Sequence, residues 1–126
     1  MTTFVAVKAT IIYVPDDEIF DHGESHVLNY KILAPNKAVK EWANEELCID
    51  TGQAVIDMLK GQAKGRGVYT LIFIMGMWGT KDSITGESLS HSTVDKLVSI
   101  TRLEREHFNF KKHNIKEVAL DAFFTS

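Results

Sequence analysis

The sequence predicts an α+β domain in which a largely antiparallel sheet of four to five strands carries two helices packed on one face. Segments rich in β-branched residues alternate apolar and polar positions on either side of the stretch 36–60, where apolar residues instead recur at helical spacing. Strands that are grouped apart from helices are typical of this class. The length of 126 residues fits one domain, so we expect a single domain over residues 1–126.

Two strands joined by an acidic loop are predicted in the first part of the chain. Residues 3–14 are rich in β-branched and aromatic residues and stop at Pro15, and residues 26–33 alternate in the same way. The stretch 15–25 between them contains turn-forming residues, five acids and no lysine or arginine. We therefore expect a hydrated loop between two antiparallel strands.

Two helices are predicted to follow. Asn36 is placed to cap the first helix, and Asp50 with Gln53 three residues later resembles a capping box at the start of the second. The glycine-containing basic stretch 60–67 is expected to end the second helix. The apolar positions at helical spacing are Val39, Trp42, Ala43 and Leu47 in the first helix and Val55, Ile56 and Leu59 in the second.

The second half predicts a buried strand, a loop and a further strand before the terminal segment. Residues 68–78 are apolar on both faces, which is typical of a central strand covered on two sides. Residues 79–92 are predicted to form a long polar loop that turns at Gly86. The segment 93–105 fits helical and strand spacing, and we favour a strand at 97–103 over a helix. Alternation over 116–124 predicts a terminal strand.

Charge is divided unevenly along the chain. Its formal net charge is −3, with 10 acidic and 5 basic residues in 1–63 against 7 acidic and 9 basic residues in 64–126. This division predicts a dipolar surface that can orient a charged partner or a second copy of the chain. It does not favour nucleic-acid binding, which is expected of a basic domain.

Composition favours the cytoplasm and no membrane segment. A single cysteine, Cys48, excludes an intramolecular disulfide, and no signal peptide is recognisable at the N-terminus. The longest apolar run, 68–78, has 11 residues, against roughly 20 needed for a membrane-spanning helix. No cofactor-binding motif is present, so no cofactor is expected.

A metal site is one hypothesis for the loop before the second strand. An extended backbone would turn His22, Glu24 and His26 to the same side, and imidazole and carboxylate are common ligands of divalent metals. No established metal-binding spacing accompanies them, so a hydrated loop is favoured. A related alternative is a small enzyme, in which His22, His26 and His91 line a pocket between the sheet and the loops 16–26 and 79–92.

A second alternative is binding of single-stranded nucleic acid through Lys60, Lys64, Arg66 and Lys81. The stretch 60–67 leaves a helix and enters a strand, whereas phosphate-binding loops precede a helix N-terminus. Residues 66–73 resemble in part a strand of the RNA recognition motif, but Val68 and Thr70 occupy its aromatic positions. We therefore favour the interpretation that the stretch 60–67 only reverses the direction of the chain over the interpretation that it binds nucleic acid.

Nucleophilic catalysis finds little support in the sequence. Cys48 lies between two apolar residues and is expected to be a small buried hydrophobe. Ser90 and Ser92 flank His91, but adjacency in sequence does not make a catalytic triad. No catalytic residue is assigned, and an enzyme is the less favoured class.

The favoured hypothesis is a non-enzymatic protein-binding module. Its acidic loop would contact a basic partner, such as a nucleic-acid enzyme whose phosphate-binding surface the carboxylates would occupy and inhibit. Trp78 is expected to be a partly exposed anchor, and Phe123 with the last strand is expected to form a homodimer. In style the chain resembles small bacteriophage accessory proteins, although no set of residues carries that resemblance. The proposed partner-binding acids are Asp16, Asp17, Glu18, Asp21 and Glu24.

Overall fold

A computed structural model describes residues 1–18 and 24–104 as a four-stranded antiparallel sheet with two helices. This confirms the predicted α+β class and the strand count of four to five. The strands lie in the order β2-β1-β3-β4. The elements are β1 (Thr3–Tyr13), a 3-10 turn (Asp16–Glu18), β2 (His26–Leu33), α1 (Lys37–Glu46), α2 (Ile49–Leu59), β3 (Gly67–Lys81) and β4 (Ser88–Arg102).

The core lies between one face of the sheet and the two helices. β1 pairs antiparallel with both β2 and β3, so that Val7 stands opposite Ile32 on one side and Phe73 on the other. Val7 and Phe73 are fully buried. Alternate residues of β1 and β3 share this face because successive side chains of a strand point to opposite sides. The helices contribute the buried residues Ala43, Val55 and Leu59.

α1 begins at the residue that the sequence predicts, whereas α2 begins at a different residue from the predicted one. The Asn36 side chain accepts hydrogen bonds from the amides of Ala38 at 2.8 Å and Val39 at 3.2 Å, as expected of an N-cap. In α2 the N-cap is Cys48, whose amide donates to Thr51 Oγ1 at 3.3 Å. The prediction of Asp50 as the cap is therefore wrong.

The reason is that α2 begins at Ile49, so Asp50 already lies inside its first turn. The Thr51 side chain accepts the hydrogen bond from the main-chain amide of the N-cap residue. The Thr51 hydroxyl oxygen also lies 3.3 Å from the Glu46 carbonyl oxygen, so the start of α2 is in contact with the end of α1. Gln53 instead donates to Asp57 one turn further along, at 3.0 Å.

The β3–β4 hairpin overturns the predicted loop at 79–92. β3 continues to Lys81 and β4 begins at Ser88, so only the short turn 82–87 is irregular. The Asp82 side chain accepts hydrogen bonds from the amides of Ile84 and Thr85, both at 2.8 Å. Gly86 adopts a φ of 76°, which glycine allows without strain. The loop prediction failed because the serines at the start of β4 are polar and give no pattern of alternating apolar residues. This segment forms a strand because it pairs with β3.

The segment 93–105, whose spacing fits both a helix and a strand, belongs to the strand β4 as far as Arg102, so the predicted strand is confirmed. β4 covers Ser88–Arg102 and is interrupted by two register shifts opposite Ile72/Phe73 and Ile74/Met75. Asp95 and Val98 consequently have no partner in the β3 register. Bulges of this kind discourage further pairing at the edge of a sheet.

Two further expectations concern β3 and the terminal segment. β3 lies between β1 and β4, as predicted for a central strand, and its helix-side residues Leu71 and Phe73 are fully buried.

None of the helices within 1–18 and 24–104 has the length and apolar character to cross a membrane. The predicted strand at 116–124 lies outside the described residues.

Replacing Phe73 by alanine should lower the free energy of unfolding by about 3–5 kcal/mol, because it leaves a cavity at the centre of the core. Denaturant unfolding of the two proteins measures the difference. Ile84 is 93% exposed in the hairpin turn, so Ile84→Ala is the matched control and should change stability by less than about 0.5 kcal/mol. Equal effects of the two substitutions would contradict the described core.

Candidate functional site

A groove of about 420 Å³ lies between the start of α2 and the β3–β4 hairpin. One wall is formed by the junction of α1 and α2, and the other by β3 and β4. Polar side chains from both walls meet an apolar floor that includes Met75. The lining residues contributed by the helices are Glu46, Cys48, Asp50, Thr51 and Ala54, and those from the sheet are Met75, Trp78, Ser90, His91, Ser92, Thr93 and Val94.

A chain of hydrogen bonds fixes the distance between the two walls. The Ser90 hydroxyl on β4 donates to the carboxylate of Glu46 at the end of α1. Trp42 Nε1 donates to Ser90 Oγ at 2.5 Å and lies 3.3 Å from Glu46 Oε1. A bond to a carboxylate is stronger than one between neutral groups, so this triad ties α1 to β4 across 44 residues of sequence.

An aromatic pair lies at the hairpin end of the sheet, where Trp78 and His91 are among the residues that border the groove. Trp78 and His91 are direct partners in the β3–β4 register, and their rings stack with centroids 5.6 Å apart at an angle of 21°. His91 Nε2 lies 2.8 Å from the Thr80 hydroxyl, and this hydrogen bond fixes the orientation of the imidazole. Trp78 is half-buried, in agreement with a partly exposed side chain. Its role as a binding anchor stays a prediction.

Cys48 differs from the buried hydrophobe expected from the sequence, because it is exposed at the N-terminus of α2. Hydrogen bonds from Thr51, first from its main-chain amide and then from its hydroxyl, lower the pKa of the Cys48 thiol. Cys48 Sγ and Thr51 Oγ1 are 3.6 Å apart. The groove thus contains a thiol that ionises more readily than an ordinary cysteine, together with the hydroxyls of Thr51, Ser90 and Ser92.

The described residues of the acidic connection, 15–18 and 24–25, are not among those that line this groove. Asp16, Asp17 and Glu24 are exposed, as the sequence predicted for a hydrated loop. Lys60 Nζ lies 3.4 Å from Asp16 Oδ2 and 3.7 Å from Asp57 Oδ1. Glu18 ends the 3-10 turn, and Asp21 lies outside the described residues.

The proposed metal ligands are only partly described. Glu24 and His26 are both exposed, and His26 Nδ1 donates to the main-chain carbonyl of Glu24 at 3.1 Å. His22 lies outside the described residues. Within 1–18 and 24–104 no three histidine, cysteine or acidic side chains are grouped closely enough to hold a metal ion.

The basic residues of the nucleic-acid hypothesis do not form one surface. Lys60 interacts with two aspartates, and the carbonyl of Lys64 accepts hydrogen bonds from Tyr69 and Arg102. Lys81 ends β3, whereas Lys60 and Lys64 precede its start. β3 has 15 residues, so its two ends are fourteen steps of about 3.3 Å apart, or roughly 46 Å along the strand.

Sequence reasoning found only part of the groove. The enzyme alternative named His91, which lines it, but also His26, which is not among the lining residues. Glu46 and Ser90 were missed because they come together from positions 44 residues apart, and no local pattern reports such a contact. The alternation of hydroxyl residues over 88–93 is the one signal that could have placed Ser90 and Ser92 on a strand.

Comparison with known proteins gave no relative. No protein-family model matches the chain, and neither the curated proteins nor the solved structures contain a match to it. The two surfaces described above are therefore interpreted from their own geometry and chemistry.

Alkylation of Cys48 should show a pH midpoint below that of an ordinary cysteine, because the Thr51 hydrogen bonds stabilise the thiolate and lower its pKa. Thr51→Val removes the hydroxyl and should move the midpoint upward, while Thr51→Ser keeps the hydroxyl and should leave it nearly unchanged. The rate of reaction with iodoacetamide as a function of pH measures all three proteins. A midpoint at or above the ordinary value in the unsubstituted chain would contradict this account.

Proposed function

We propose that this protein is a small protein-binding module whose acidic connection binds a basic surface on another protein. The observation that carries the proposal is the exposure of Asp16, Asp17 and Glu24 on a connection whose base is closed by hydrogen bonds. Exposed carboxylates attract a basic partner, and a closed base keeps them on one side of the molecule.

The closure of the base is local and specific. Ser25 Oγ accepts a hydrogen bond from the Val14 amide at 2.8 Å and donates one to the Val14 carbonyl at 3.1 Å. Val14 is buried at the end of β1, so the connection leaves and rejoins the sheet at fixed points. A binding segment that is held in place loses less conformational entropy when a partner docks, which favours affinity.

A second contact holds the start of the connection against α2. Lys60, just after the end of α2, bridges Asp16 and Asp57. These groups are largely exposed, so the ion pairs contribute little to stability in water. Because Lys60 lies beside Asp16, a lysine or arginine of the partner that approaches Asp16 competes with Lys60 for this carboxylate.

The chemistry favours a partner with a patch of lysine or arginine, and the phosphate-binding surface of a nucleic-acid enzyme is such a patch. Carboxylates that occupy this patch would compete with nucleic acid and inhibit the enzyme. Both proteins would meet in the cytoplasm. Self-association through Phe123 and the last strand falls outside the described residues and stays a prediction.

The two alternatives from the sequence have weaker support. For an enzyme, His91 lines the groove together with Cys48, whereas His26 does not. For a nucleic-acid binder, the length of β3 separates Lys81 from the other basic residues. The proposal therefore rests on the acidic connection.

Replacing Asp16, Asp17 and Glu24 together by their amides should slow association with the partner by about tenfold at low salt, because it removes electrostatic attraction before contact. The difference should shrink as salt rises. The partner is first captured from a lysate of the source cells with the unsubstituted chain, then purified, and its association rate is measured at two ionic strengths.

A matched control removes three exposed acids elsewhere, by Glu41→Gln, Glu45→Gln and Glu87→Gln. The net charge changes equally, so only the location of the charge differs between the two triple variants. The control should keep most of the association rate. If both variants lose the same fraction, or if neither does, the acidic connection is not the binding surface.

A further inference from the structure

The face of the sheet that points away from the helices, here called the outer face, carries exposed basic side chains. Lys8 follows the buried Val7 on β1 and therefore belongs to the outer face by alternation. Lys31 on β2 is the direct partner of Lys8, and Lys96 on β4 is the direct partner of Ile74, an outer-face residue of β3. All three lysines are exposed, and no ion pair within residues 1–18 and 24–104 involves them.

Acidic residues are nearly absent from the sheet. The four described strands contain one acid, Asp95, which lies at a register shift on the edge strand β4. Like charges that stand directly opposite each other, as those of Lys8 and Lys31 do, repel and destabilise a sheet. A chain with a formal net charge of −3 thus has a positively charged strip on one face, and an anion bound there would remove the repulsion.

Aromatic rings lie next to this strip, at the hairpin end of the outer face. Phe4 is 62% exposed, and its ring packs against Gly76, where an added Cβ would lie 3.3 Å from it. Trp78 is two residues beyond Gly76 and stacks on His91 with ring centroids 5.6 Å apart. Because Gly76 is the direct partner of Phe4, Phe4 and Trp78 are diagonal neighbours on adjacent strands, about 7–8 Å apart. At this end the outer face adjoins the groove, which Trp78 and His91 also border.

We propose that the outer face binds single-stranded nucleic acid. Lys8, Lys31 and Lys96 contact the phosphates. The bases stack on Phe4 and Trp78. Positive charge that follows the backbone and exposed rings that take the bases are the two features of sites that bind single strands. Phe4 and Lys8 are four residues apart on β1, or about 13 Å, so the site is at the lower end of the range of about 4–16 nucleotides that such surfaces cover.

A single strand fits this face better than a duplex, a membrane or a second copy of the chain. The bases of a duplex are already stacked on one another, so they are not free to stack on the side chains of a sheet. Anionic membranes attract clusters of about 4–8 basic residues, whereas the strip has the three lysines named above. Two copies packed through their outer faces would bring these like charges together.

The strip differs from both surfaces considered above for charged partners. Three of the basic residues suggested by the sequence precede β3, and Lys81 belongs to the other face by alternation from Thr80. The lysines of the strip come from three strands, and only the register brings them to one face. The acidic connection contributes no residue to the strip, so the inference does not depend on the proposed function.

Fluorescence anisotropy of labelled oligonucleotides mixed with the full chain tests the proposal. Oligothymidylate and oligouridylate of about 12 nucleotides should bind, and a duplex of equal length should bind at least about tenfold more weakly. Three phosphate contacts predict that the logarithm of the association constant falls with the logarithm of salt concentration at a slope of about −2. Binding of only one of the two single strands would support the proposal and identify the sugar that the face accepts.

Two other ligands decide against the proposal if they bind as well. Vesicles of equal parts phosphatidylcholine and phosphatidylserine should not sediment the chain. Equal affinity for duplex and single strands, sedimentation with the vesicles, or no binding to either single strand at about 50 mM salt would overturn the proposal.

Charge variants locate the site. Replacing Lys8, Lys31 and Lys96 together by glutamine should weaken single-strand binding at about 50 mM salt by about tenfold or more and bring the salt slope close to zero. A control variant removes the same charge from exposed positions off the outer face, by Lys37→Gln, Lys40→Gln and Lys64→Gln. The control should keep its affinity within about twofold. Equal losses in the two variants, or a loss in the control alone, would place the contacts elsewhere and overturn the proposal.

Variants of Phe4 test stacking separately from charge. Phe4→Leu keeps an apolar side chain without the ring and should weaken binding of single strands by about fivefold or more, with the salt slope unchanged. Phe4→Tyr keeps the ring and should bind as the unsubstituted chain does. Phe4 is 62% exposed, so neither substitution should unfold the sheet. Unchanged affinity of Phe4→Leu, or equal losses in both variants, contradicts stacking on Phe4 and overturns the proposal.

Discussion

The burial of one apolar face shared by β1 and β3 determines the rest of the described structure. Val7 and Phe73 stand opposite each other with no exposed surface, and the helices lie where they complete this face. Because a one-residue slip in strand pairing would turn every side chain to the other face, this core also fixes the register. The register in turn sets which β4 side chains reach the groove and which residues line the outer face.

α2 connects this core with both candidate surfaces. Its buried residues Val55 and Leu59 hold it on the sheet, and its two ends therefore have fixed positions. Cys48 at its start lines the groove, while Lys60 just after its end contacts Asp16 of the acidic connection. A change in the packing of α2 would thus alter both surfaces, although they share no residue and lie at opposite ends of the helix.

Features that depend on local sequence were predictable, and features that depend on distant partners were not. The bounds of β2 and the Asn36 cap follow from alternation and from a side chain that reaches amides two and three residues ahead. β4 escaped detection in its first half, because its serines gain stability from pairing with β3. The groove was missed for the same reason, since Glu46 and Ser90 meet only after the sheet has formed.

The edge of the sheet and the acidic connection offer a partner different kinds of interaction. Pairing with β4 requires main-chain hydrogen bonds in register, and two bulges together with the charges of Asp95 and Lys96 oppose it. Attraction to the acidic connection requires no register, because it acts before contact and over roughly a Debye length. A partner recruited by charge would associate quickly and in a salt-dependent manner, whereas one that adds a strand would depend little on salt. Ionic strength therefore separates the two kinds of recognition without knowledge of the partner's structure.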